Sequence, residues 1–454
     1  MMGHSVNEER LIGVDLHSAQ VSTITENFEL WYAELQKPFK VVDYSDSELS
    51  NLVHGISNRQ LPVHKWFNLK EAFSAQLPLW AVQHIYDEYH ESVRYVLDPF
   101  IGGGTTGVSL AEKGINVVGV EYNPFIRFVA ETKSQLPYMD TIAIQNAILL
   151  IDLKKPRKKI PLPELSTLEN PAYFRETDIQ VILHIIQQIN LLSSSEETRN
   201  FLMLGVAAAI DDVASLRKDG RALRYVWKPE RPSARAAITS RWKSMLDDLT
   251  NAKYTGIFKV YPGTALRLGS KISNEFDAAI YSPPYLNNFD YSEVYKLELW
   301  LLGFLQSTEQ WRELRMSTVR SHPSVRFQRK ISLLERTDLS DIAIKLSEMG
   351  EYICLSDKRN RQEMRDVVLG YFDDMYIALQ QQWEMLRPGG FLVYVVANSR
   401  HKWLPIATDI ILATLAQHIG FEPLELAILK KRNGRTRQKA YLRESAIFMR
   451  KPAS

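Results

Sequence analysis

A turn with two consecutive prolines follows a short apolar run near the middle of the chain. The run DAAIY, residues 277–281, leads directly into Ser282-Pro283-Pro284-Tyr285. Proline fixes φ and has no amide hydrogen, so two prolines in a row must end a strand in a stiff, extended turn. Such a turn holds a hydroxyl, an unpaired carbonyl and an aromatic ring in fixed positions, where they can accept hydrogen bonds and stack on a flat ligand.

A second turn combines a carboxylate with three glycines. In LDPFIGGGTTG, Asp98 ends a predicted strand, and Gly102 to Gly104 let the backbone approach a ligand closely before a helix begins. The stretch has neither the Gly-Lys-Ser/Thr of a P-loop nor the full spacing of a dinucleotide-binding turn. The next strand ends about twenty residues later at Glu121, whose carboxylate can accept both hydroxyls of a ribose. These two strand ends favour an adenosyl cofactor without a pyrophosphate, with a plain tight turn and a surface glutamate as the structural alternatives.

Alternating strands and helices predict an α/β fold with a mostly parallel, doubly wound sheet and helical insertions. The alternation begins at VRYVLDPF (93–100) and INVVGVEYNPF (115–125), each followed by a helix. It resumes at GIFKVYPGTA and FDAAIYSPPY. The last section predicts a long helix to residue 386, a turn at RPGG, the strand FLVYVVANS, a helix over about 405–418 and two closing strands.

Two interruptions of this pattern divide the chain into six segments. TDIQVILHIIQQINLLS and ETRNFLMLGVAAAIDDVASLRK carry apolar residues at helical spacing, which predicts a helical insertion. The predicted segments are an N-terminal arm or small helical lead-in (1–60), a cofactor-binding first part of the core (61–134), a helical insertion that is the candidate target-recognition region (135–254), a core part with the Pro-Pro turn (255–305), a basic insertion (306–362) and the C-terminal part of the core (363–454).

The composition is that of a soluble globular protein, with 45% hydrophobic and 24% charged residues. No apolar run is long enough to span a membrane and the N-terminus lacks the order of a signal peptide, so we expect a cytoplasmic protein.

The single cysteine, Cys354, excludes an intrachain disulfide, and the ten histidines show no ligand spacing, so we expect no metal site. The net charge is only +2, but 152–161, 217–243 and 320–330 are basic, which favours phosphate binding over three solvated faces.

Taken together, VLDPFIGGGTT, GVEYNP and SPPY resemble the motifs of the amino-group DNA methyltransferases, which use S-adenosyl-L-methionine. The Ser-Pro-Pro-Tyr form is similar to their cytosine-N4 branch. The resemblance runs in pieces from about residue 62 to residue 450, and HKWFNLKEAFSAQL (64–77) resembles the family's segment before the glycine turn. It implies a Rossmann-like methyltransferase fold with S-adenosyl-L-methionine as cofactor. The cofactor-binding residues that it implies are Phe73, Ser74, Asp98, Pro99, Phe100, Gly102, Gly104, Thr105, Thr106, Glu121, Tyr122, Asn123 and Thr264. Thr264 stands where the family usually has an acidic residue for the adenine amino group.

The resemblance also implies how the Pro-Pro turn takes part in catalysis. An exocyclic amino group is a poor nucleophile, because its lone pair is delocalised into the ring. Ser282 and the Pro283 carbonyl would accept hydrogen bonds from the amino group and favour a tetrahedral nitrogen. Tyr285 would stack on a base turned out of the duplex, since the amino group is unreachable inside it. The resemblance therefore assigns Ser282, Pro283, Pro284 and Tyr285 to catalysis.

Residues outside these motifs are candidates for nucleic-acid binding. LRKDGRALRYVWKPERP (216–232) places Lys218, Arg221 and Arg224 beside aromatic residues, a mixture suited to phosphates and exposed bases, with a charged loop as the alternative. Asn398 and Arg400 follow a strand expected beside the Pro-Pro turn, so they line the target pocket or only cap the next helix. Either insertion could read the target sequence.

We therefore predict a site-specific methyltransferase that modifies the N4 amino group of cytosine in duplex DNA by base flipping. Its setting would be restriction-modification or phage defence, with a cognate restriction enzyme or defence-system partner. Adenine-N6 methylation, RNA base methylation and a catalytically silent nucleic-acid-binding subunit are the alternatives. Cytosine-C5 methylation is disfavoured because it uses a thiolate in a Pro-Cys turn, whereas Cys354 lies in EYICLSDKRN.

Overall fold

The computed structural model describes residues 18–219, 222–269, 272, 275–286, 289–323, 327–356, 361–401, 403–432 and 441–453. The strands are β1 (Lys40–Asp43), β2 (Tyr95–Asp98), β3 (Asn116–Glu121), β4 (Leu216–Asp219), β5 (Ala222–Tyr225), β6 (Phe258–Pro262), β7 (Phe276–Tyr281), β8 (Leu386–Ala397), β9 (Ser399–His401), β10 (Leu404–Ile406), β11 (Glu422–Lys431) and β12 (Arg443–Arg450). The helices are α1 (Ser18–Gln36), α2 (Gln76–Tyr89), α3 (Thr105–Ala111), α4 (Pro124–Ser134), α5 (Thr141–Leu150), α6 (Ser166–Glu169), α7 (Glu176–Leu191), α8 (Glu196–Val213), α9 (Ala234–Leu249), α10 (Tyr291–Val294), α11 (Lys296–Leu301), α12 (Thr308–Met316), α13 (Ser340–Ser356), α14 (Arg361–Met385) and α15 (Thr408–Ile419).

Eight of these strands form one sheet in the order β1-β11-β12-β8-β7-β2-β3-β6. Neighbouring strands run parallel, except that β12 is antiparallel to both β11 and β8. Successive strand residues point to opposite faces, so Val96 belongs to one hydrophobic core and Leu97 to the other. Helix α4 packs into the first core, and α14 and α15 pack into the second. The α/β, mostly parallel Rossmann-like sheet predicted from the sequence is confirmed.

The strand order reverses at β2, and this creates the cleft described below. From β2 the chain proceeds to β3 and β6 on one side, and it later enters β7 on the other side. Ligands of open parallel sheets bind outside the carboxyl ends of the strands at such a switch point. Asp98 ends β2 and Ser282 directly follows β7, so the topology places both sequence motifs there.

The interruption between β3 and β6 contains α5 to α9 and the antiparallel hairpin β4–β5. Helices α7, α8 and α9 pack on one another, and β5 packs against α10. The second interruption contains α12 and α13, and α13 packs along α14. The hairpins β4–β5 and β9–β10 were not predicted from the sequence.

The described part of the N-terminal segment is a helical lead-in that packs on the sheet, and not a separate arm. Phe28 and Tyr32 of α1 are buried in the second core, and β1 pairs in parallel with β11 at the edge of the sheet. Strand β1 was not predicted, because a four-residue strand, paired with a partner near the other end of the chain, leaves no periodic pattern. The residues RPGG, predicted as a turn, form an irregularity within β8, where Gly389 has a φ of 78° and the register with β7 shifts between the pairs Phe276–Leu386 and Ala278–Phe391.

Helix α3 approaches β6 so closely that only glycine fits at position 107. A Cβ atom at Gly107 would lie 2.1 Å from Cε2 of Phe258. We expect Gly107→Ala to lower the free energy of unfolding by about 1–3 kcal/mol, because overpacking forces side chains and backbone to shift. The cost should be smaller in a Phe258→Leu background, which removes the ring. Chemical denaturation of the wild type, the two single variants and the double variant measures the cost of Gly107→Ala in each background. Equal costs in the two backgrounds would show that the ring is not the obstacle.

Candidate active site

A cleft opens at the switch point between β2 and β7. Its empty volume is about 1210 Å³, including the part that is open to solvent. The predicted site residues that line it are Phe73, Pro99, Phe100, Gly102, Thr105, Glu121, Tyr122, Asn123, Thr264, Ser282, Pro283, Pro284 and Tyr285. The glycine turn and the Pro-Pro turn, 178 residues apart when counted from Gly104 to Ser282, therefore face one space.

Four residues predicted to bind the cofactor, Ser74, Asp98, Gly104 and Thr106, are buried and do not line this cleft. Oδ1 of Asp98 accepts a hydrogen bond from the Phe100 amide at 2.9 Å, so this carboxyl shapes the turn that follows β2. Gly104 precedes α3 with a φ of 86°, a conformation that favours glycine. Asp98 and Gly104 thus shape the turn between β2 and α3, next to the cleft.

Glu121 ends β3 and reaches the cleft. Its Oε1 accepts a hydrogen bond from the Asn123 amide at 2.8 Å. Asn123 in turn caps α4, because its Oδ1 accepts from the amides of Phe125 and Ile126 at 3.1 and 3.2 Å. Burial raises the pKa of Glu121 to about 7 and the pKa of Asp98 to about 7. Two carboxyls with raised pKa values beside one cleft are typical of a functional site.

A buried lysine that the sequence patterns did not single out holds the glycine turn by hydrogen bonds on the side away from the cleft. Lys133, near the end of α4, is 3% exposed. Its Nζ donates to the Gly103 carbonyl at 3.0 Å and to the carbonyls of His64 and Phe67 at 3.3 Å each. Burial lowers the pKa of Lys133 to about 7. The ammonium group thereby joins the segment before the glycine turn to the turn itself.

The Pro-Pro turn is fixed by hydrogen bonds to other strands. Oγ of Ser282 donates to Oη of Tyr285 at 3.2 Å, and this Oη donates to Oε1 of Glu444 in β12 at 2.7 Å. Ser399 of β9 donates to the Leu286 carbonyl at 2.6 Å. Burial, together with the Glu444 carboxylate, raises the pKa of Tyr285 well above its ordinary value. Because Ser282 uses its hydrogen toward Tyr285, its Oγ keeps lone pairs that can accept a further hydrogen bond.

A further wall of the cleft comes from residues that the sequence analysis missed. It contains Asp290, Tyr291 and Ser292 at the start of α10 and His322 after α12. Asp290 accepts from the Ser292 amide and hydroxyl, and from Nε and Nη2 of Arg315 at 3.0 and 2.7 Å. Although burial acts to raise the pKa of Asp290, the nearby His322 and the Ser292 and Arg315 donors hold it below its ordinary value. The Asp-x-x-Glu capping box at 290–293 was a usable signal for this helix start.

The structure contradicts the prediction that Lys218 binds nucleic acid from the surface. Its side chain is 9% exposed and pairs with the carboxylates of Asp211, at 2.8 Å, and Glu298. Its Nζ also lies 4.6 Å from the ring centroid of Tyr295. Breaking a buried pair is strongly destabilising, so Lys218 anchors the hairpin β4–β5 to α8 and α11. The basic sequence around it gave no sign of the distant Glu298.

The other predicted nucleic-acid contacts lie in different places. Arg224 is exposed and pairs with Asp219 at 3.2 Å, and Arg400 is exposed on β9. Asn398 is 2% exposed, and its side chain bonds the Tyr441 carbonyl and the Asp409 amide, both at 2.9 Å, so it caps the start of α15. Arg221 lies outside the described residues.

The basic stretch 320–330 is partly neutralised within the protein. Arg320 is buried and donates to Asp373 at 2.7 Å and to Asp374 at 2.8 Å. Arg329 pairs with the same Asp374 at 3.0 Å. The structure thus contradicts phosphate binding by these two arginines, which hold the loop after α12 against α14.

The raised pKa of Glu121 makes the stability of the protein depend on pH. The folded protein binds this proton more tightly than the unfolded chain, so the contribution is full below about pH 4.5 and is lost as the pH rises through about 7. We expect Glu121→Gln, which keeps an acceptor oxygen but does not titrate, to gain stability relative to the wild type over this window, on the order of 2 kcal/mol. Chemical denaturation between pH 4 and pH 8.5 measures this, and two parallel pH profiles would contradict it.

Among the residues described, no group of three or more His, Cys, Asp or Glu side chains is placed to hold a metal ion. No helix in the described ranges is both long enough and apolar enough to cross a membrane.

Comparison with known proteins is consistent with these motifs. The model of the N6/N4 methyltransferase family, described as DNA methylase, matches residues 22–131. The chain is 25% identical to the type II methyltransferase M.BsoBI of Geobacillus stearothermophilus over 475 aligned positions, which cover 92% of this chain and 91% of the relative. It is also 25% identical to the type II methyltransferase M.AvaI of a Nostoc species over 438 positions, which cover 87% and 88% of the two chains.

A solved structure of the rRNA methyltransferase AviRa from Streptomyces viridochromogenes covers 90% of this chain and 94% of its own, at 10% identity and a TM-score of 0.31, which is too low to carry an argument. The motifs in the cleft, the family match and the two relatives that align along most of the chain instead support an amino-group DNA methyltransferase family.

Proposed function

We propose that this protein transfers a methyl group from S-adenosyl-L-methionine to the exocyclic N4 amino group of a cytosine in a specific duplex DNA sequence. The observation that carries the proposal is the shared cleft, in which the glycine turn after β2 meets Ser282-Pro283-Pro284-Tyr285 after β7. Relatives named as type II methyltransferases support a modification role in restriction-modification. A cognate restriction enzyme is then the natural partner of the protein.

The half of the cleft beside β2 and β3 fits the cofactor. Glu121 would accept hydrogen bonds from the ribose hydroxyls. Gly102 has a φ of 51°, and a Cβ atom there would lie 3.1 Å from a side-chain carbon of Leu69, so glycine suits both the conformation of this turn and its close approach to Leu69. Phe73 and Thr264 would border the adenosine and methionine ends. When bound, the cofactor supplies an electrophilic methyl group on a sulfonium.

The half of the cleft beside β7 fits the target base. Ser282 Oγ and the Pro283 carbonyl would accept the two hydrogens of the amino group, which aims the nitrogen lone pair at the methyl group. The ring of Tyr285 would stack on the flipped base while its hydroxyl stays bonded to Glu444. The same grip suits the N6 group of adenine, so the product has to be identified directly.

We expect the wild-type enzyme, given methyl-labelled cofactor and DNA, to yield N4-methylcytosine on digestion to nucleosides.

Tyr285→Ala should abolish most methyl transfer while the cofactor still binds, because lost stacking costs about 1–3 kcal/mol and misplaces the amino group. Ser282→Ala should slow transfer with a smaller effect on DNA affinity, since its hydrogen bond matters most as the nitrogen becomes nucleophilic.

Each other outcome has a separate meaning. Labelled N6-methyladenine would remove the cytosine assignment and keep the role of the turn. Label found in RNA and absent from DNA would replace the substrate. A folded wild-type protein that binds DNA and the cofactor but transfers no label would indicate a silent binding subunit. Wild-type rates in both variants would make the turn structural.

The helical insertion and its hairpin are the proposed DNA-reading region. Strand β5 packs against α10, whose Tyr291 lines the cleft, so the hairpin stands near the cleft mouth. Arg217 and Arg224 are exposed on its two strands, and Trp227, which follows β5, is 71% exposed. Exposed arginines beside an exposed indole suit phosphates and unstacked bases.

We predict that Arg217→Ala with Arg224→Ala weakens DNA binding and lowers the slope of log affinity against log salt by about 2, as the loss of two phosphate contacts should. Cofactor affinity should not change. The matched control is Arg94→Ala with Lys113→Ala. It removes two exposed charges near the amino ends of β2 and β3, at the end of the sheet opposite the cleft. Fluorescence anisotropy across a salt series measures all three slopes. A slope that is unaltered, or equally lowered in the control, would assign these arginines to a solvated face.

A further inference from the structure

A chain of three hydrogen-bonding groups leads from the proposed target site into the protein. It begins at Ser282 Oγ, passes through Tyr285 Oη at 3.2 Å and ends at Glu444 Oε1 at 2.7 Å. Every hydrogen in the chain points away from the cleft, since Ser282 donates to Tyr285 and Tyr285 donates to Glu444. Ser282 and Tyr285 line the cleft, whereas Glu444 is buried in β12.

The proposed reaction leaves a proton that must be removed. The nitrogen lone pair forms the new N–C bond, and the electron pair of the broken C–S bond stays on sulfur, so the positive charge moves to the nitrogen. The methylated amine becomes neutral only when one of its hydrogens leaves as a proton. A buried site with oriented acceptors is suited to receive it.

We propose that Ser282 and Tyr285 relay this proton to Glu444. Ser282 Oγ takes the proton from the amine as its own hydrogen passes to Tyr285 Oη, and the phenolic hydrogen passes to Oε1 of Glu444. Each hydroxyl ends the step with one hydrogen, Glu444 becomes a neutral acid, and no further reactant is required. The relay rests on the proposed methyl transfer and adds to it a proton acceptor from another strand.

The surroundings of the chain fit this direction of transfer. The pKa of Tyr285 is raised well above its ordinary value. Its hydroxyl therefore receives a proton from Ser282 while it gives its own to Glu444, and it does not become a free phenolate. Nη2 of Arg432 lies 3.5 Å from Oε2 of Glu444, where it supports the charged carboxylate before the reaction. Glu444 pairs with Ala397 of β8, so the acceptor is held by the main sheet.

Two conservative substitutions test the relay. Tyr285→Phe keeps the ring and removes only the hydroxyl, and Glu444→Gln keeps an oxygen that can accept from Tyr285 but has far less affinity for a proton. In single-turnover assays each should slow methyl transfer about 100-fold, the low end of general-base effects, while the dissociation constants for DNA and cofactor stay within about 2-fold. The double variant should be no slower than either single variant, because the groups act as a unit.

The matched control is Tyr394→Phe, which removes another buried phenolic hydroxyl, bonded to the Asp409 carbonyl at 3.1 Å, from the neighbouring strand. It should keep the wild-type rate. The relay is overturned by a folded Tyr285→Phe or Glu444→Gln enzyme that transfers at the wild-type rate, or by a loss of DNA or cofactor affinity that accounts for the slower rate. Should Glu444→Gln not fold, the Tyr285→Phe result decides alone. A wild-type enzyme that methylates no amino group would instead overturn the proposed function.

Discussion

The parallel pairing of β2 with β7 is the contact on which the candidate site depends. Val96 pairs with Ala278 and Leu97 with Ala279, which brings Phe100 of the glycine turn level with Ser282 of the Pro-Pro turn. The rings of Phe100 and Tyr281 are accordingly 5.4 Å apart. A slip of one residue would move the alternating side chains of β7 to the wrong cores, so the burial of both faces fixes the register and thus the relation between the two turns.

Several titratable groups around this cleft are buried at a cost to stability. The carboxyls of Asp98 and Glu121 have raised pKa values, and the ammonium of Lys133 has a lowered one, in each case chiefly because of burial. Lys133 offers three hydrogens to three carbonyls, an arrangement that only the charged form satisfies completely. The three hydrogen bonds of Lys133 hold the backbone of the turn at Gly103 in one conformation beside the cleft.

Local patterns in the sequence were enough to predict much of the fold and the ends of the key strands. Asp98 and Glu121 do end β2 and β3, and Ser282 does follow β7, because the apolar runs before them and the glycine or proline after them are all local signals. The pairing of β1 with β11 and the partner of Lys218 could not be read in this way. Glu298 lies 80 positions further along the chain, and nothing near Lys218 in the sequence distinguishes a buried ion pair from a solvated face.

In the candidate site, too, residues within a motif were predicted and their distant partners were not. Tyr285 was predicted from its motif, but Glu444 is 159 positions away, in a stretch whose sequence indicates only a strand. His322 and Asp290 form one wall only because α12 packs back on α10. The residues of a motif can thus be predicted from the local sequence. The residues that orient the motif cannot, because strand order and helix packing bring them there.

In the proposed reaction, the serine at the head of the Pro-Pro turn gives the antiparallel strand β12 a chemical role. A hydroxyl can donate or accept, so a serine that must accept from an amino group needs a second group to take its hydrogen. Tyr285 takes it only because Glu444 accepts from Tyr285, and Glu444 is held at that place by pairing between β12 and β8. An acidic residue at the head of the turn would accept without such help. The orientation of Ser282 therefore depends on the C-terminal strand, and the fold of the last residues is coupled to the chemistry proposed at the switch point.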